Sequence, residues 1–122
     1  MAVTLFAPTG YWCLTPAGKK AFCDGCGSGW TAGLVPDHLL GLDISECCHI
    51  HDYTYSTSEA TIKAKESADR AFLNNMLRVV MSENKMQTAR RLLAWDYYQA
   101  VCMFGGPAFW DGKNLESEER EI

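Results

Sequence analysis

No stretch of this 122-residue sequence stays apolar over a membrane-spanning length, so no transmembrane helix is expected. Basic residues are outnumbered: eleven Lys and Arg against fifteen Asp and Glu give a net charge of −4. That balance leaves no basic footprint for nucleic acid. The opening Met1-Ala2-Val3-Thr4-Leu5-Phe6-Ala7-Pro8 lacks the basic start and long apolar run of a signal peptide. No strand pattern exceeds a few residues, and no repeat, linker or low-complexity tract divides the chain. A single domain over 1–122 follows, large enough for a real but modest core.

Cysteine is the exception to this sparseness. Six in 122 residues are many for a cytosolic protein and suggest a secreted or otherwise oxidising setting. Set against the missing signal peptide, this leaves three routes. The mature form carries an added Met1, or the chain is exported another way, or it is released by lysis. The acidic end, about 112–122 with Glu116, Glu118, Glu119 and Glu121, reads as a solvated, frayed tail.

The stretch Cys47-Cys48-His49-Ile50-His51-Asp52-Tyr53-Thr54-Tyr55 concentrates the chemistry. On a helix, Cys48, His51, Asp52 and Tyr55 fall at i, i+3, i+4 and i+7, on one face. Such a face is too polar to bury for packing alone; it binds a metal, does chemistry, or both. A helix over about 44–56 is expected, with Asp43 and Glu46 spaced as a capping box and Ser45 as a second cap.

Upstream, Thr15-Pro16 starts a helical turn, with Thr as cap and Pro in the first position. Next comes a glycine-rich loop, Cys23-Asp24-Gly25-Cys26-Gly27-Ser28-Gly29-Trp30, whose alternate glycines let the backbone turn sharply and aim carbonyls inward. Pro36-Asp37-His38 can open a short helix. The apolar Trp30, Leu34, Val35, Leu39, Leu40 and Leu42 are either core plus loop or an exposed rim that meets a lipid surface.

Two further helices are expected. The first runs over about 61–81, with Ala68, Phe72, Leu73, Met76, Leu77 and Val80 in helical period. The second spans about 84–104, with Leu93, Tyr97, Ala100, Val101 and Phe104 inward, Arg90 and Arg91 partly outward, and Gly105-Gly106-Pro107 as the stop. The short break near residue 60 makes the first two long helices antiparallel. The expected class is therefore all-α: two long antiparallel helices plus a third.

Asp69 is the anomaly, a carboxylate on an apolar face that must be paired or hydrogen-bonded. His51 and Asp69 each lie about nine residues from the break, so equal rise per residue sets them level across the helix pair. A histidine held by a buried acid has its tautomer fixed, and its other nitrogen can accept a proton. The bland alternative is a structural histidine in the core. Tyr55, one turn after His51, can donate to Asp69 or serve as an ordinary buried tyrosine. Backbone carbonyls beside Asp52 would be oxygen ligands suited to Ca²⁺ rather than to a soft metal, and no EF-hand pattern is present.

Cys26-Gly27-Ser28-Gly29, then Cys47-Cys48-x-x-His51-Asp52-x-x-Tyr55, then Asp69-Arg70 resembles the secreted-type phospholipase A2 family over about residues 23–73. The resemblance implies Ca²⁺-dependent hydrolysis of the sn-2 ester of glycerophospholipids at a membrane or micelle surface. It implies carbonyls of Gly25, Gly27 and Gly29 plus the Asp52 carboxylate as calcium ligands. It implies His51 as general base, Asp69 as its partner and Tyr55 as support for Asp69. It also favours a Cys26–Cys48 bridge, after which Cys47 would meet Cys102 and Cys13 would meet Cys23, making a disulfide-stapled domain.

Four features depart from that pattern. Trp30 stands where a second glycine is usual, the 30–43 segment is longer, the second long helix has no cysteine, and no second tyrosine partner for Asp69 is apparent. Two rival readings remain. One is a zinc module built on Cys23, Cys26, Cys47, Cys48 and His49. The other is a catalytically silent lipid- or protein-binding module on the same scaffold.

Overall fold

The computed structural model describes residues 3–23, 35–111 and 113. Residues 24–34, with Cys26, the loop glycines, Trp30 and Leu34, and the acidic tail apart from Lys113 lie outside the described residues. Two short helices, α1 (Thr9–Trp12) and α2 (Pro16–Cys23), lead to a two-stranded hairpin, β1 (His38–Leu39) and β2 (Leu42–Asp43). Three long helices follow, α3 (Ser45–Thr57), α4 (Ile62–Met81) and α5 (Gln87–Phe104), and then the short α6 (Gly106–Trp110). The fold is mostly helical, and α4 packs between α3 and α5. No described helix is long and apolar enough to cross a membrane.

Local chemistry explains the starts of α2, α3 and α4. The Thr15 hydroxyl accepts from the Gly18 N–H at 3.0 Å, so the Thr-Pro pair opens α2 as its sequence suggests. Asp43 accepts from the Ser45 N–H at 2.8 Å at the head of α3. The expected capping box does not close, because Glu46 is drawn elsewhere. Its carboxylate accepts from the Tyr11 hydroxyl at 2.5 Å and from Lys19 at 3.2 Å, pinning α1 and α2 to α3. Thr61 caps α4 by accepting from the Ala64 N–H at 3.0 Å, and Ala68, Phe72, Met76 and Val80 line its buried stripe.

The segment 36–43 is a correction. It forms a hairpin rather than a helix, with Leu39 paired to Leu42 and a two-residue Leu40-Gly41 turn. Both turn residues have positive φ, 49° and 86°, the geometry that matches the strand twist of a tight hairpin. Gly41 takes it freely; Leu40 does not. The turn is held by Arg90, whose guanidinium donates to the Leu39 and Leu40 carbonyls at 3.2 and 3.0 Å. Arg90 is therefore buried rather than partly outward, and Phe104 is exposed rather than inward. Val35, Leu39 and Leu42 join the core, leaving Leu40 as the exposed apolar residue of the rim among those described.

The expected stapling is also corrected. Cys13, Cys47, Cys48 and Cys102 are free thiols, so none of the three expected bridges, Cys26–Cys48, Cys47–Cys102 and Cys13–Cys23, is formed. Cys47 and Cys48 pack as small apolar residues with Phe72, Met76, Ala94 and Val101, while Cys102 stands on the exposed side of α5.

The N-terminal segment is fastened to α4 by a fully buried asparagine. Asn75 accepts from the Phe6 N–H and donates to the Phe6 carbonyl, each at 2.8 Å. Asn75→Ala orphans both backbone groups, and the expected loss is about 2–3 kcal/mol. Urea unfolding should show a lower midpoint at unchanged slope. A loss under about 0.5 kcal/mol, the range of an ordinary surface substitution, would refute this role.

Candidate active site

The antiparallel pair α3 and α4 brings His51 and Asp69 together as their spacing predicts. The His51 Nε2 to Asp69 Oδ1 distance is 2.9 Å, and both side chains are almost wholly buried. The imidazole is lodged between two rings. It stacks on Phe72 with centroids 4.7 Å apart, and Tyr55 tilts against it at 4.1 Å. The Tyr55 hydroxyl donates to the same Asp69 oxygen at 2.5 Å. Gly105 permits this approach, because a Cβ there would collide with the Val101 carbonyl and stand 2.7 Å from the Tyr55 hydroxyl. Phe109 of α6 closes the far side, edge-on to Tyr55.

The other Asp69 oxygen has a partner that lies outside the sequence motifs. Lys65 donates to Asp69 Oδ2 at 2.7 Å. Its signal in the sequence was the i, i+4 spacing on α4. Burial by itself would raise the Asp69 carboxyl. The hydrogen bonds from His51, Lys65 and Tyr55 outweigh it and hold the group below the usual carboxylate range. Tyr55 goes the other way: burial first, then the hydrogen bond to Asp69, push its phenol far up, so it stays a donor.

An ionised Asp69 only accepts, which assigns the imidazole proton to Nε2 and makes Nδ1 the basic nitrogen. The chemistry available is general-base catalysis by a histidine whose tautomer and orientation are locked.

Asp52 follows His51 and is also buried, about 100° further around α3. Its carboxylate is a hard oxygen donor of the kind Ca²⁺ takes. Gly25, Gly27 and Gly29 lie outside the described residues. Among the described residues no three His, Cys, Asp or Glu side chains converge as a metal site. An ion beside Asp52 would thus draw its other donors from backbone carbonyls, water or residues beyond that set. Cys47 is buried in the core, and that burial pushes its thiol up to about 12.

Comparison with family models, curated proteins and solved structures finds no match for this chain. The functional reading therefore rests on residues and geometry.

Proposed function

We propose that this chain is a Ca²⁺-dependent phospholipase A2, releasing a fatty acid and a lysophospholipid from the sn-2 position of a glycerophospholipid. The observation that carries the proposal is the buried His51–Asp69 pair, 2.9 Å apart on antiparallel helices and braced by Tyr55. The resemblance in the 23–73 motifs supports the substrate class.

In this reading Nδ1 of His51 removes a proton from water as the water oxygen attacks the sn-2 carbonyl carbon. The imidazolium so formed is stabilised by Asp69, which stays ionised. As the tetrahedral intermediate collapses, His51 returns the proton to the departing glycerol oxygen. No serine or cysteine nucleophile is required. Asp52 and the carbonyls of Gly25, Gly27 and Gly29 would hold Ca²⁺, which when bound supplies positive charge for the phosphate and the developing oxyanion. By the same resemblance, the Gly29 amide would be a further donor to that oxyanion.

The test is fatty-acid release from mixed phospholipid vesicles, with calcium or with chelator, for wild type and Asp52→Asn. Chelation and Asp52→Asn should each lower the rate by roughly 10²–10³-fold, the usual cost of losing an oxyanion stabiliser. Full activity in chelator would overturn the metal assignment. Absence of release from any vesicle composition would overturn the substrate.

A further inference from the structure

Most of the machinery above follows from three residues, yet the shortest ion pair in the cluster belongs to a fourth. Lys65 is mostly buried, its side chain 13% exposed. Its ammonium has three oxygens in reach: Asp69 Oδ2 at 2.7 Å, the Val101 carbonyl at 3.0 Å and the Cys102 carbonyl at 3.4 Å. Those carbonyls belong to the last turn of α5, where the helix dipole is negative; the Val101 carbonyl also accepts from the Gly105 N–H at 2.9 Å and shares its second lone pair with the ammonium. One ammonium thus joins α4 to the end of α5 and grips the acid from the side opposite His51.

We infer that Lys65 is a positioning residue of the His51–Asp69 pair: it fixes the second oxygen of the carboxylate so that the first stays aimed at the imidazole. The inference rests on the hydrolase reading of His51, and it adds a residue that the motifs do not contain. The argument is geometric. Asp69 Oδ1 alone receives both His51 and Tyr55. A carboxylate held by one oxygen can turn about its last torsion, which is broad and twofold. With Oδ2 tied to an ammonium anchored on another helix, that rotation is closed. Small errors in the orientation of a catalytic group are costly in rate. A neutral donor would suffice for a hydrogen bond; a lysine reaches the α5 carbonyls as well.

The same geometry supplies a discriminating experiment. Lys65 and Asp69 line a cleft of about 500 Å³ between α4 and α5, with Arg70, Tyr98 and Cys102. A small amine can enter there. Lys65→Ala removes the propyl-ammonium end of the side chain. The expected result is a fall in kcat of roughly 10–100-fold with KM unchanged, the scale of losing an outer partner of a reactive group. Propylammonium should restore much of the rate in a saturable manner, and 1-propanol should not.

A second readout does not depend on turnover. The His51 Nε2 proton, donated to Asp69, should give a downfield imidazole signal by NMR in wild type. That signal should broaden or vanish in Lys65→Ala and return with propylammonium. Lys65→Met, which keeps the stem, should lose rate and signal without rescue; it stands in if the alanine variant does not fold. An unchanged kcat and an unchanged imidazole signal in these variants would overturn the inference. A wild type that shows the signal, and loses it on Lys65→Met, but hydrolyses no phospholipid would instead overturn the enzyme assignment and leave the positioning role standing.

Discussion

His51→Gln is expected to end turnover, with fatty-acid release down by about 10²–10⁴-fold, the contribution of a positioned general base. Glutamine retains an N–H that can still meet Asp69, so the α3–α4 contact should survive. Calcium affinity by titration calorimetry should be unchanged, because the expected ligands are Asp52 and loop carbonyls. The two measurements together are the point. Loss of rate with intact calcium binding assigns His51 to the chemical step. A variant that keeps most of its activity would remove His51 from the mechanism, and the buried pair would then be a structural hydrogen bond.

Replacing Asp69 should produce the largest change in stability. Three donors converge on this carboxylate, one of them an ammonium. Asp69→Leu strands that charge beside Tyr55 and the α5 carbonyls, and the expected loss is about 3–5 kcal/mol. Pairing it with Lys65→Met removes the stranded charge. The double variant should therefore be more stable than Asp69→Leu alone, and that coupling is measured by the double-mutant cycle in urea. Equal stabilities would mean that the ion pair does nothing for the fold.

The pH dependence carries a sign that can be checked on the same proteins. The Asp69 carboxyl is held below its ordinary 3.8 in the folded protein. Its contribution is therefore complete above the ordinary value and is lost as pH falls through the lowered one. Wild type should lose stability in acid more steeply than Asp69→Leu over that window. Asp43 and Glu46 are likewise lowered, by the Ser45 hydrogen bonds in one case and by Tyr11 and Lys19 against burial in the other. Both remain in the variant, so the difference between the two curves isolates Asp69.

The residues that make up the pair were legible because the information is local. Helices α3 and α4 begin and end within a residue of their expected bounds, since their starts are set by Asp43 and Thr61 and their apolar period by side chains a turn apart. Equal rise on two antiparallel helices then carries His51 to Asp69 without further assumption. Helix α5 was placed less well at its start, where Met86 takes a left-handed conformation that no sequence pattern announces.

What the chain alone determined is the α3–α4 hairpin of helices and the meeting of one imidazole with one acid. Tertiary structure decided the rest. A lysine four residues before an acid ordinarily reaches for water; Lys65 is buried only because the end of α5 brings two carbonyls from thirty-six and thirty-seven residues away. Leu40 accepts a positive φ only because Arg90, fifty residues on, collects the carbonyl it exposes. Glu46 leaves its helix cap for Tyr11, thirty-five residues upstream. In each case a local preference of about 1 kcal/mol yields to a partly buried, charge-assisted contact worth more, and the identity of that partner is set by the packing of distant segments.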